Sequence, residues 1–228
     1  MKTDKIIFLD IDGVLNSRKW YYARSTIPKE MFQHSDDRVN ENDLRELDLT
    51  ALGLLCKLVI NTGSKIVISS TWRMGKDPLY FRLLFNRRGI DFPRDVFIGC
   101  TPILSDVKNN QGEYITRGSE IQKWIDEHNF TGKYVIFDDD SDFLLTQMPH
   151  FIQTTYEEGL LYEHYYKALC ILEQLTFCDD CTIGWIMLND DYPITIRTST
   201  YSKYLNNFSN CRYDIYYNCS SCGKKIDL

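Results

Sequence analysis

Five short apolar runs are spaced along this chain, and the segments between them carry helical periodicity. The runs are KIIFL (5–9), KIVIS (65–69), DVFIG (95–99), KYVIF (133–137) and a weaker FIQTT (151–155). Their apolar residues follow one another instead of alternating with polar ones, the pattern of strands buried on both faces. Between them, residues 43–60 carry a stripe of Leu44, Leu47, Leu54, Leu55, Leu58 and Val59, with Asn40 and Asn42 as candidate caps and Gly63 as a stop. Residues 77–88, 118–128 and 160–175 read as further helices, and residues 16–40, with Pro28, as a loop or small flap. Short apolar strands alternating with helices specify an α/β fold: a Rossmann-like parallel sheet with helices on both faces.

In such sheets functional groups collect beyond the carboxyl ends of the strands. Three predicted strand ends carry reactive side chains: Asp10-Ile11-Asp12-Gly13, Ser69-Ser70-Thr71-Trp72-Arg73 and Asp138-Asp139-Asp140-Ser141-Asp142. Each alone has a bland explanation as a turn, a polar strand end or a solvated acidic loop. Together, in this order and each directly after an apolar run, they bring at least three carboxylates to one place. Oxygen ligands in that number suit Mg²⁺, a hard octahedral ion. The hydroxyls and guanidinium of the middle cluster suit phosphate oxygens. Acids, a divalent cation and phosphate donors make a phosphoryl-transfer site. Trp72 is weighed as a packing residue against a base-stacking platform.

The cysteines are unevenly placed. Of eight, Cys178, Cys181, Cys211, Cys219 and Cys222 lie in the final segment. CDDC (178–181) and CSSC (219–222) are two C-x2-C pairs separated by 37 residues, the spacing of a four-thiolate structural Zn²⁺ site. The expected organisation is therefore a first domain over 1–175 and a zinc-ribbon-like β unit over 176–228 that needs its metal to fold. Cys211 is left over, and the four histidines show no ligand spacing.

Net charge is −6, which argues against a broad nucleic-acid-binding surface but not against a local basic groove. No run of 18 apolar residues is present, so no membrane span is expected. The N-terminal KIIFL is too short for the apolar region of a signal peptide, so the expected compartment is the cytoplasm.

Over roughly residues 4–175 the sequence resembles the haloacid dehalogenase-like (HAD) phosphohydrolase superfamily. FLDIDGVLN looks like its first motif, IVISST its second, the helix RGSEIQKWI the carrier of its third and VIFDDDSDF its fourth. The nearest likeness is to the small-cap branch that holds the phosphatase halves of phage polynucleotide kinase–phosphatases and HAD domains of RNA-repair proteins. The resemblance implies an Mg²⁺-dependent phosphatase in which Asp10 attacks phosphorus and forms an aspartyl-phosphate. It implies that Asp12 alternates as general acid and base, and that Ser70 binds a phosphoryl oxygen, with Ser69 or Thr71 as the alternatives in register. Arg117 takes the place of the third motif's usual Lys, with Lys108 and Lys133 as fallbacks. Asp139 binds Mg²⁺ with Asp10 and the main-chain carbonyl of Asp12, and Asp138 and Asp142 support that shell. Thr71 and Arg73 are candidate substrate contacts. Val14 stands where the first motif usually has Thr.

About 60 residues separate Asp10 from Ser70 and 47 separate Ser70 from Arg117, which leaves no room for a large cap once the sheet helices are counted. An open site suits a large phosphorylated substrate such as a nucleic-acid end, with Arg82, Arg87, Arg88 and Arg94 as a local basic stretch. A small nucleotide or sugar phosphate closed over by residues 17–40 is a second reading. A non-catalytic scaffold that binds nucleic acid or protein through the zinc tail is a third.

Overall fold

The structure is a computed structural model and describes residues 4–28, 38–104 and 115–174. The chain divides into two units, Met1–Leu172 and Glu173–Leu228, and all but two of the second unit's residues lie outside the described ones. The first holds a five-stranded parallel sheet in the order β3-β2-β1-β4-β5, built from β1 (Lys5–Leu9), β2 (Lys65–Ile68), β3 (Phe97–Cys100), β4 (Lys133–Asp138) and β5 (Phe151–Gln153).

The helices are α1 (Arg18–Arg24), α2 (Glu41–Glu46), α3 (Leu49–Thr62), α4 (Pro78–Arg87), α5 (Arg117–Glu127) and α6 (Tyr162–Glu173). The apolar stripe expected to form one helix over 43–60 is broken in two. Leu47 is extended (ψ 126°), and Asp48 starts α3 by accepting the Thr50 N–H at 2.8 Å. Asn40 caps α2 by accepting the Asn42 N–H, and Gly63 at φ +68° ends α3 as expected. The expected loop at 16–40 contains α1, capped by Ser17 through the Trp20 N–H. The third strand lies slightly downstream of its predicted position, since a turn in which the Val96 N–H donates to the Pro93 carbonyl at 3.2 Å occupies the residues before Phe97.

Alternation along the strands sorts the core. Ile6 and Phe8 pack with Val67, Ile136, and Ile121 and Trp124 of α5, and Phe8 meets Trp124 edge-on at 5.5 Å between ring centroids. The opposite set, Ile7, Leu9, Ile66, Ile68, Val135 and Phe137, is equally buried, so both faces are covered. Burying each such side chain contributes about 1.5–3 kcal/mol. Asn61 of α3 donates to the Tyr165 hydroxyl of α6 at 2.9 Å.

The strand order positions the site. The chain runs outward from β1 through β2 to β3, then crosses back to place β4 on the other side of β1. The crevice between the carboxyl ends of β1 and β4 is thus a topological switch point. Among the described residues no helix is long and apolar enough to cross a membrane.

Candidate active site

Asp10 extends β1 by one residue, and its N–H donates to the Phe137 carbonyl of β4 at 2.9 Å. That bond sets the carboxylate at the switch point, where it is 4% exposed. Arg117, the first residue of α5, reaches it with Nη1 3.3 Å from Oδ1. The same nitrogen donates to the Ser69 carbonyl. Burial pushes the Asp10 carboxyl up to about 6, against the opposing pull of the Arg117 charge and a hydrogen bond from Ser70. Burial also opposes the charge on Arg117, but Asp10 and Asp138 outweigh it and hold the guanidinium above its usual value.

Asp10, Asp138 and Asp139 each offer an oxygen, and the three lie within 4.8 Å of one another. Asp138 ends β4 and is nearly inaccessible. Its Oδ1 accepts the Asp140 N–H at 3.0 Å, while its buried Oδ2 has no hydrogen-bond partner. Burial, then the nearby Asp10 charge, pushes Asp138 up to about 8, and burial likewise raises Asp139. An orphaned carboxylate oxygen in a crowd of acids fits a divalent cation, which would supply the missing partner and offset the repulsion. The neighbouring chain is shaped to admit Asp139. Gly13 sits at φ +67°, and a Cβ on it would lie 2.3 Å from the Asp139 Cγ, so a side chain there is excluded by conformation and by space.

The raised acids give a pH-dependent prediction. Without metal, Asp138 and Asp10 hold protons in the folded state up to about pH 8 and 6, whereas in the unfolded chain they release them near 3.8. Their contribution to stability is therefore present at low pH and lost as pH rises through those values. A bound cation needs both ionised. The rise in Tm on adding Mg²⁺ should accordingly be larger at pH 8 than at pH 5, as read by thermal melts in EDTA and in Mg²⁺. A rise that is equal at both pH values would contradict the assignment of these acids.

Asp12 is exposed and stands outside the acidic cluster, and the ligand expected from it is its main-chain carbonyl. Its side chain is held from two sides. Trp72 Nε1 lies 3.1 and 3.0 Å from its two carboxylate oxygens, and Asn16 Nδ2 donates to Oδ1 at 2.8 Å. Asn16 also accepts the Gly13 N–H at 2.9 Å, closing the loop on itself. Ser69, Ser70 and Thr71 differ in setting. Ser70 hydrogen-bonds Asp10 and caps a short 3-10 turn (Thr71–Arg73) by accepting the Trp72 N–H at 3.3 Å. The Ser69 hydroxyl is buried without a partner, and Thr71 is exposed.

Arg73 departs from expectation. It was a candidate substrate contact, but the guanidinium is buried and all of its N–H groups are committed. Nε donates to the Thr101 carbonyl at 3.0 Å, Nη1 to the Ser69 and Ser70 carbonyls at 2.7 Å each, and Nη2 to Pro102 O at 3.2 Å and Glu120 Oε2 at 2.6 Å. No donor remains for a phosphate, so Arg73 braces the second motif from behind. Asp142 also differs: its Oδ2 accepts the Arg117 N–H at 2.9 Å, so it fixes the start of α5 and does not join the acids. Lys133 begins β4, at the opposite end of the strand from Asp138, and Lys108 lies outside the described residues. In the basic stretch, Arg88 lies over the Trp20 ring and donates to the Leu47 carbonyl, while Arg82 donates to the Arg94 carbonyl, which gives both structural work. Cys178, Cys181, Cys211, Cys219 and Cys222 lie outside the described residues.

The sequence reading missed the contacts of Trp72, Asn16 and Glu120. Trp72 was weighed only for its ring, although its N–H meets Asp12. Glu120 stands one turn after Arg117 and carries no motif that would single it out in the sequence.

Residues 6–165 match the family model described as the HAD domain in Swiss Army Knife RNA repair proteins. No curated protein and no solved structure matches the chain. The match covers the sheet from the second residue of β1 onward and all the acids at its carboxyl ends, so the chain belongs to the family of HAD domains found in Swiss Army Knife RNA repair proteins.

Proposed function

We propose that this protein is an Mg²⁺-dependent phosphatase that works through an aspartyl-phosphate on Asp10 and acts on phosphorylated ends of polynucleotides. The observation that carries the reading is the buried Asp10 carboxylate, held by Arg117 and Ser70 beside two further acids at the switch point. The polynucleotide substrate rests on the family description, with its reference to RNA repair.

Asp10, Asp138 and Asp139 would hold the cation, joined by the Asp12 carbonyl. When bound, the ion offsets negative charge on the phosphoryl oxygens and keeps the acids ionised. The rest falls to the chain. Asp10 Oδ attacks phosphorus, and the bond from phosphorus to the leaving oxygen breaks. Asp12 gives its proton to that oxygen. Asp12 then takes a proton from water, whose oxygen attacks the aspartyl-phosphate, and the bond between phosphorus and Asp10 breaks to release phosphate. Ser70 and Arg117 bind the phosphoryl oxygens throughout, where charge builds in both half-reactions.

The test is phosphate release, with Mg²⁺ and with EDTA, from an aryl phosphate, 5′-mononucleotides, and oligonucleotides phosphorylated at the 3′ or 5′ end. Release from oligonucleotides that stops in EDTA is the expected result. Preference for mononucleotides would favour a small-molecule phosphatase, and no release from any substrate would favour a non-catalytic scaffold.

We further propose that Cys178, Cys181, Cys219 and Cys222 hold one structural Zn²⁺, on the strength of their spacing. Elemental analysis should find one zinc per chain, lost in Cys219→Ser. Full zinc content in that variant would count against the site.

A further inference from the structure

We infer that Trp72 is a positioning residue for Asp12, an inference that rests on the phosphatase reading above. Asp12 is exposed, and an exposed carboxylate rotates freely unless something holds it. A proton shuttle that serves two half-reactions needs one orientation toward the leaving oxygen and then toward water. Misplacement by about 1 Å costs on the order of a hundredfold in rate. The indole N–H supplies that orientation, with its nitrogen almost equidistant from the two Asp12 oxygens at 3.1 and 3.0 Å.

The chemistry of the donor suits the task. An indole N–H donates and does not accept, so it cannot take the proton that Asp12 carries. It steers the carboxylate without competing in the shuttle. Asn16 assists from the first-motif loop at 2.8 Å.

Trp72 is itself fixed. Its main-chain N–H is held by the Ser70 hydroxyl at 3.3 Å, which ties its turn to the residue that touches Asp10. Lys76 Nζ lies 5.1 Å from the Trp72 ring centroid and 4.7 Å from that of Tyr80. Asp43 locks this lysine at 2.5 Å and accepts the Tyr80 hydroxyl at 2.6 Å. A chain of contacts thus runs from Asp43 on α2 through Lys76 and Trp72 to Asp12. The arrangement connects the first motif to the second across 60 residues of sequence.

The experiment is Trp72→Phe, which keeps an aromatic ring near Lys76 and removes the N–H together with the second ring. With p-nitrophenyl phosphate the leaving anion needs no proton, so forming the aspartyl-phosphate does not require Asp12. The burst of p-nitrophenol should keep its wild-type rate, while steady-state phosphate release falls about tenfold to a hundredfold and KM falls with it, so that kcat/KM is unchanged. Lys76→Met, a half-buried change that removes the ion pair with Asp43 and loosens the indole without touching Asp12, should show the same split at smaller size. Equal loss of burst and steady state in both variants would make Trp72 a mere packing residue and overturn the inference. Wild-type steady-state release in Trp72→Phe would overturn it as well. A wild type that releases no phosphate at all would instead remove the phosphatase reading, and this inference with it.

Discussion

Asp10→Asn should abolish phosphate release while leaving the fold intact. Asparagine matches aspartate in shape, and its carbonyl can still accept from Arg117 at the position now 3.3 Å from Nη1. What it lacks is the negative charge that makes a carboxylate oxygen nucleophilic toward phosphorus. Removing a covalent nucleophile costs on the order of 10⁴-fold or more in turnover. Stability should move little, for a reason visible in the cluster: Asp10 is one cause of the raised Asp138, so the substitution relieves repulsion among buried acids. The checks are turnover and a thermal melt of the metal-free protein. Activity within about tenfold of wild type would remove Asp10 from the role of nucleophile.

Glu120→Gln should have the largest effect on stability. The Arg73–Glu120 pair is buried, with side-chain exposures of 3% and 6%. Glu120 Oε2 takes Arg73 Nη2 at 2.6 Å, and Oε1 takes the Leu104 N–H at 2.7 Å. Both partners are donors, so a glutamine must point its NH₂ at one of them whichever way it turns. The guanidinium then stays buried with its charge unmatched. Breaking such a pair on one side costs about 3–5 kcal/mol. For a unit of this size that corresponds to a fall of roughly 6–20 °C in Tm. Activity should fall too, since Arg73 holds the carbonyls of Ser69 and Ser70 in place. The exposed pair Lys123–Glu127, at 3.8 Å, is the control. Glu127→Gln should shift stability by no more than about 0.5 kcal/mol. Equal melts for the two variants would show that the buried pair does not brace the site.

The sheet was legible because each strand announces itself locally, by an apolar run and a polar end. The acids at those ends were legible for the same reason: once β1 and β4 are adjacent, Asp10, Asp138 and Asp139 must meet. Arg117 was singled out by the family resemblance of its segment; the helix, expected over 118–128, starts one residue earlier at Arg117, capped by Thr116. The failures share a different cause. Leu44 and Leu47 continue the apolar spacing of α3, so the pattern hid a break that only Asp48 marks as a cap. Arg73 looked like a phosphate contact because it follows hydroxyls. Its true partners at Thr101, Pro102 and Glu120 are 28 to 47 residues away and unreadable from its neighbours. Trp72 was judged by the size of its ring, and the contact that matters is made by one hydrogen across 60 residues. Short-range pattern reveals what a segment becomes. It does not reveal which side chains are spent on bracing others.

The central claim is that phosphate passes through Asp10. The most direct measurement is an acid quench of the protein with a ³²P-labelled aryl phosphate in Mg²⁺, followed by peptide mapping, on wild type and on Asp12→Asn. The account predicts label on the peptide that contains Asp10, accumulating toward one phosphate per chain in Asp12→Asn because water is no longer activated. Turnover by the wild type with no label on that peptide in either protein, or with label on another residue, would contradict it.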